Sequence, residues 1–370
     1  MDPLTRYSTD IATNKITPDA AQQQVVGKLQ ELWLNLSCTK NRWAELKYRL
    51  GMASPPPRGI YLWGGVGRGK TYLMDLLYDC IPGQRKQRTH FHRFMQSVHG
   101  QLTHLQGTDN PLEKIADRLS RSSRILCFDE FFVDDIGDAM LLAELLRALF
   151  ARRVCLVATS NNHPDNLYAN GLQRQRFLPA IALLHTHTEV IELVGNTDYR
   201  LRSLSRARLY HCPPQADADN ALLNLFNELT PDGTHSKQNH PIEILGRQIH
   251  ARHCADDIVW FDFTELCDTP RSAFDYVELA RLYHSLIISN IPLLDDTTTD
   301  QTRRLINLVD ALYDRRVKLI ISAAAPPNKL YQGQALTAEF KRTHSRLLEM
   351  QSHAYLAAAS GSFKKVPDNP

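Results

Sequence analysis

The stretch Gly64-Gly65-Val66-Gly67-Arg68-Gly69-Lys70-Thr71 decides how this chain is read. It carries the spacing G-x-x-x-x-G-K-S/T, in which glycines let the backbone wrap around phosphates with its N–H groups turned inward and no Cβ in the way. Lys70 is spaced to reach the β- and γ-phosphates and Thr71 to hold Mg²⁺. Before it, Ile60-Tyr61-Leu62-Trp63 reads as a strand; after it, Tyr72 to Tyr78 has the apolar spacing of a helix, whose positive end faces the anion. All eight residues of the loop, Gly64 through Thr71, are expected to line a nucleotide triphosphate.

Residues 124–130, Arg124-Ile125-Leu126-Cys127-Phe128-Asp129-Glu130, form an apolar run that ends in two acids. A strand buried in a parallel sheet has this pattern, and its carboxyl end is where α/β sheets place ligands. Asp129 is suited to orient Mg²⁺ and Glu130 to polarise a water for attack on the γ-phosphate. A helix is expected over 138–151, then a strand from Val154 into Thr159-Ser160-Asn161-Asn162. Asn161 is either an amide that touches the attacking water or the γ-phosphate, or part of a turn-forming pair. Farther on, Leu172 to Pro179 holds Arg174 and Arg176 ahead of the strand Glu189 to Leu193. Arg176, with Arg174 in reserve, is expected at the end of a helix, where one subunit offers an arginine to its neighbour's γ-phosphate; two exposed helix arginines are the plainer reading.

Composition sets the wider bounds. The chain has 370 residues, 43% hydrophobic and 22% charged, enough for one large domain or two ordinary ones. A net charge of +3 makes no global case for nucleic acid or anionic membrane. Seven cysteines without C-x-x-C pairing read as buried free thiols in a reducing compartment. No signal peptide, transit segment or long apolar run is evident, which leads to a cytoplasmic expectation. No N-K-x-D motif for guanine occurs.

Between the loop and the acidic strand lies Gln84-Arg85-Lys86-Gln87-Arg88, a short basic cluster. Together with Arg93 it could contact a polyanion, although charge runs are usually solvated faces. Thr89 to Phe94 alternates with period two and reads as a strand, with His90 and His92 on one face. Upstream, residues 19–36 place Val25, Leu29, Leu32, Trp33 and Leu36 on one side of a docking helix, and 51–58, with three consecutive prolines, reads as a linker.

Taken together, Trp63 through Thr71, His90-Phe91-His92-Arg93-Phe94-Met95, Cys127 through Phe131, Thr159-Ser160-Asn161, Asn170 through Arg174 and Asp198-Tyr199-Arg200-Leu201-Arg202 resemble the ZapE family of bacterial cell-division ATPases, which has mitochondrial inner-membrane relatives. The resemblance runs from about residue 18 to about 356. It implies an α/β fold, a P-loop NTPase of AAA+ type with a parallel sheet flanked by helices, and an additional α/β C-terminal portion. It implies ATP and Mg²⁺ as cofactors, Lys70, Glu130, Asn161 (the position called sensor 1) and Arg176 as catalytic residues, and Thr71 and Asp129 as Mg²⁺ ligands. It further implies a homo-oligomer located at the division site, peripheral to the inner membrane, that destabilises polymers of the tubulin-like FtsZ when ATP is present. Nucleic acid is not favoured as a partner. A nucleic-acid loader and a nucleotide-switched binding module are the competing functions. No helical lid is obvious after residue 195, which leaves Arg200, Arg202 and Arg346 as candidates for the sensor-2 arginine.

The expected organisation is an N-terminal helical segment over 1–50, an ATPase core over 51–202, a C-terminal α/β portion over 203–357 and a disordered tail over 358–370. In the third part, Ile242 to Ala251 reads as a hairpin. Ile258 to Phe263 echoes Ile125 to Glu130, and Ala311 to Ile320 echoes Ala148 to Val157. A degenerate repeat and reuse of a common α/β pattern both account for this. Because no second glycine-rich loop precedes the echo and Phe263 stands in place of an acid, one active site is expected.

Overall fold

Five short strands pair in parallel; the three central ones are apolar runs because both of their faces are covered, so that no polar alternation is needed, while the two edge strands are more polar and half-buried. The five are β1 (Gly59–Trp63), β2 (Lys86–His90), β3 (Ile125–Asp129), β4 (Cys155–Ser160) and β5 (Thr188–Glu192), in the order β2-β3-β4-β1-β5. The structure is a computed structural model that describes residues 1–38, 57–65, 67–194, 201, 204–205, 207–212, 216–230, 236–255 and 257–357. Val66, Arg200, Arg202, the tail and most of the expected linker lie outside the described residues. The chain divides into two compact units, Met1–Thr197 and Asp198–Pro370.

In the first unit the side chains of the sheet sort by parity into two cores. Ile60, Leu62, Ile125, Cys127, Cys155 and Val157 pack with α1 (Pro3–Ala12), α2 (Ala20–Cys38) and α3 (Lys70–Cys80). Tyr61, Leu126, Phe128, Leu156 and Ala158 face α4 (Phe91–His104), α5 (Pro111–Ser122), α6 (Ile136–Ala151) and α7 (Leu178–His187). The N-terminal helices belong to this core. Trp33 Nε1 donates to Cys80 O at 2.8 Å, Tyr72 Oη to Asp10 Oδ2 at 2.8 Å, and Arg6 pairs with Asp79 at 2.8 Å. Helix α1 has a start signal that the sequence reading passed over: Asp2 accepts from Thr5 N at 3.0 Å, with Pro3 in the first turn.

The second strand differs from expectation. It ends at His90, and Phe91 opens α4, so His90 and His92 do not share a strand face. The reason is that Phe91, Phe94, Met95 and Val98, all buried, recur with helical rather than strand spacing.

The second unit has a six-stranded sheet in the order β6-β11-β10-β9-β8-β7: β6 (Tyr210–His211), β7 (Lys237–Ile244), β8 (Arg247–Cys254), β9 (Ile258–Asp262), β10 (Ser285–Ile291) and β11 (Lys318–Ala323). Strands β6, β11, β10 and β9 run parallel, and β7–β8 is the expected hairpin, turning at Leu245 and Gly246 with φ of 48° and 77°. Helices α8 (Ala216–Leu229), α9 (Ala273–Leu282), α10 (Thr299–Asp314) and α11 (Thr337–Glu349) accompany it. The internal echo is real at one place. Arg153 after α6 and Arg316 after α10 both adopt positive φ, and the next valine bonds back in each case, Val154 N to Leu149 O at 3.1 Å and Val317 N to Leu312 O at 2.9 Å. The strand that precedes α10 is β10, however, so β10 and not Ile258–Phe263 is the topological counterpart of β3. Among the described residues, no helix is long and apolar enough to cross a membrane.

Two outcomes follow from these cores. Leu29→Ala, in α2 against the phosphate-loop helix, should cost about 2–5 kcal/mol in denaturant unfolding, because a side chain only 2% exposed leaves a cavity. Burial pushes the Cys155 thiol up to about 12 and also raises Cys127, so a thiol reagent at pH 8 should label neither in the native protein and both after unfolding.

Candidate active site

Strand β1 lies between β4 and β5, and all three run the same way, so the loop after β1 emerges beside the ends of both neighbours. Gly64 N donates to Ser160 O at 3.2 Å and Leu193 N to Trp63 O at 2.7 Å, which pins the loop's entry. Glycine is required where the chain turns. At Gly64 a Cβ would lie 2.7 Å from the backbone Leu193 O, and Gly69 sits at φ +85°, a conformation that strains any residue with a Cβ. Gln22, in α2, donates to Arg68 O at 3.2 Å. Gly69 then caps α3, and Lys70 and Thr71 fill its first turn.

Lys70 Nζ donates to Gly64 O at 2.9 Å, Gly65 O at 2.8 Å and Asn161 Oδ1 at 2.9 Å. The contact joins the loop after β1 to the end of β4 and brings the Asn161 amide to the lysine. Over Gly65 lies the Arg68 guanidinium, whose Nε and Nη1 are buried and have no hydrogen-bond partner among the described residues. Buried cationic donors of this kind suit an anionic ligand.

Asp129 ends β3 on the α3 side of the sheet, and Arg88 grips it, Nε to Oδ2 at 2.6 Å and Nη2 to Oδ1 at 3.3 Å. Arg88 Nη1 also bonds Asp75 of α3. Glu130 leaves the strand with φ +55°, a conformation that costs a residue with a Cβ about 1–3 kcal/mol and persists only where surroundings enforce it. Here they do. Glu130 N donates to Thr159 Oγ1 at 3.2 Å, Phe131 N to Thr159 O at 2.7 Å, and Ser160 Oγ to Phe131 O at 2.7 Å. The oxygen donors of Thr71 and Asp129 fit a hard divalent cation such as Mg²⁺.

Two other expectations change. Arg174–Arg176 is a single 3₁₀ turn ahead of α7, not the end of a helix. Arg176 is exposed with no side-chain partner among the described residues, whereas Arg174 Nη2 donates to Asp165 O at 2.5 Å. The basic cluster is largely committed inside its own unit: Arg85 Nη2 to Ser120 O at 2.6 Å, Lys86 Nζ to Tyr78 O at 2.5 Å and Ile81 O at 3.0 Å, and Arg88 to its two acids. Arg85 and Arg93 remain exposed. In the second unit, Arg346 pairs with Asp310 and, at 3.7 Å, Asp314, and stacks 4.7 Å from the Tyr313 ring. Arg88, Asp75, Thr159 and Gln22 are the site residues that sequence reasoning missed or misassigned.

The model of the family described as AFG1-like ATPase matches residues 1–359. The chain is 43% identical over 366 residues to the cell division protein ZapE of Escherichia coli (strain K12), covering 96% of this chain and 97% of that one. It is 35% identical over 344 residues to lactation elevated protein 1 homolog B of Danio rerio, covering 81% and 68%. Among solved structures, AMPPCP-bound DnaA from Aquifex aeolicus is similar at 17% identity and a TM-score of 0.35, covering 51% of each chain, too remote to bear on chemistry. With a phosphate loop, an acid-ended strand in the same sheet and a family match over nearly its whole length, the chain belongs to the AFG1-like ATPases, P-loop proteins of AAA+ type.

Proposed function

We propose that this protein is a Mg²⁺-dependent ATPase of bacterial cell division that joins the division ring and, with ATP, lowers the stability of FtsZ polymers. The observation that carries the ATPase reading is the Lys70 ammonium, held by two loop carbonyls and the Asn161 amide where a terminal phosphate would compete for it. The similarity to ZapE over 96% of the chain supports the cellular role.

The loop's N–H groups, Arg68 and Lys70 bind the phosphates; Thr71 and Asp129 would hold Mg²⁺, which when bound would supply positive charge against the phosphoryl oxygens. Glu130 polarises the water whose oxygen forms the new bond to the γ-phosphorus, while the bond to the ADP oxygen breaks. Asn161 orients that water, and Arg176 reaches the site of the adjacent copy in a homo-oligomer. Residues 51–202, with the helices of 1–50 docked on them, act as the motor; 203–357 carry contacts to neighbouring subunits or partners. The protein acts in the cytoplasm, at the division site, peripheral to the inner membrane.

The experiment is to mix purified protein with FtsZ polymers and follow light scattering, with ATP against a non-hydrolysable analogue. Scattering should fall with ATP alone; equal scattering in the two would remove the FtsZ role. Lys70→Ala should abolish nucleotide binding, and Glu130→Gln should bind ATP but turn it over at least about 10²-fold more slowly, the scale of a lost general base. Wild-type turnover in Glu130→Gln would refute the water assignment. Thr159→Val, which leaves the Glu130 N–H without its acceptor, should cost about 1–3 kcal/mol in unfolding and lower kcat with little change in nucleotide affinity.

A further inference from the structure

Arg88 lies in β2 opposite Cys127, so its side chain shares with Asp129 the face of the sheet that α3 covers. Its side chain is 14% exposed, and those of Asp75 and Asp129 are 8%. Placing a guanidinium and two carboxylates in such a site carries a desolvation cost that close pairing only partly returns, so stability alone is a poor reason for the arrangement. Geometry supplies a better one. A planar fork that meets both oxygens of one carboxylate fixes the plane of that carboxylate, which a single point donor does not. The third guanidinium nitrogen reaches Asp75, on the helix that begins with Lys70 and Thr71.

We propose that Arg88 is a positioning residue that holds Asp129 in the orientation from which it meets the divalent cation of a bound nucleotide, and that Asp75 anchors Arg88 to the phosphate-loop helix. The inference rests on the reading of Asp129 as a Mg²⁺ ligand given above. Arg88 acts through Asp129, as groups behind metal ligands do in metal sites generally. The cluster therefore joins the two halves of the site, loop helix and acidic strand, through one side chain.

The test measures the dissociation constant of ADP with Mg²⁺ and with EDTA, for wild type, Arg88→Met, Arg88→Lys and Asp129→Asn. Wild type should bind ADP more tightly with Mg²⁺. Arg88→Met should lose about 10–100-fold of that Mg²⁺-dependent gain, with its affinity in EDTA unchanged. Arg88→Lys, which keeps the charge but not the fork, should fall between them and decides the matter if Arg88→Met does not fold. Retention of the full gain in Arg88→Lys, or an equal loss with Mg²⁺ and EDTA, would overturn the proposal. If Asp129→Asn keeps the gain, the ligand assignment itself fails and the role of Arg88 fails with it; if only the Arg88 variants keep it, the assignment of Asp129 stands.

Discussion

A single ammonium group ties this site together. Lys70 Nζ donates to two carbonyls of the loop it belongs to and to Asn161, which is 91 residues away in sequence. A part-buried cation needs such acceptors, since leaving it unpaired is costly. They can meet only because β1 pairs in parallel with β4, Trp63 opposite Ser160, so that both chains end at the same edge of the sheet. The acidic strand follows from the same order. With β3 beside β4, the chain leaving Asp129 passes close enough to bond Thr159, and Glu130 is held in a backbone conformation it would not adopt unaided.

Around that contact, two supports come from outside the loop. The N-terminal helices back the phosphate-loop helix with apolar side chains and reach the loop itself through Gln22. From the other side, Arg88 braces Asp129 and Asp75 together. The loop, its helix and the acidic strand are thus held together by packing and ion pairing from within the unit.

The parts legible in the sequence were those written locally. Glycines at positions that demand positive φ, a lysine and a threonine in the next turn, and an apolar run closing on two acids each state their geometry within a few residues. The hairpin of the second unit was legible for the same reason, through Leu245-Gly246. What escaped was set by partners distant in the chain. Arg88 reads as one charge in a surface cluster because its acids lie 13 and 41 residues away, and nothing local separates it from Arg85. The end of β2 was misplaced because six residues alternate by chance, and only the longer spacing of Phe91, Phe94, Met95 and Val98 reveals a helix. Arg176 shows the same limit: its neighbours suit a helix, yet Gln173 at φ 57° turns the chain and confines Arg174–Arg176 to one tight turn.

The most direct measurement of the central claim is an experimental structure with Mg²⁺ and a non-hydrolysable ATP analogue. The expected result is that Lys70 Nζ exchanges the carbonyls of Gly64 and Gly65 for β- and γ-phosphate oxygens, with Asn161 and Glu130 facing the γ-phosphate. A nucleotide bound elsewhere, with Lys70 still on the loop carbonyls, would contradict it.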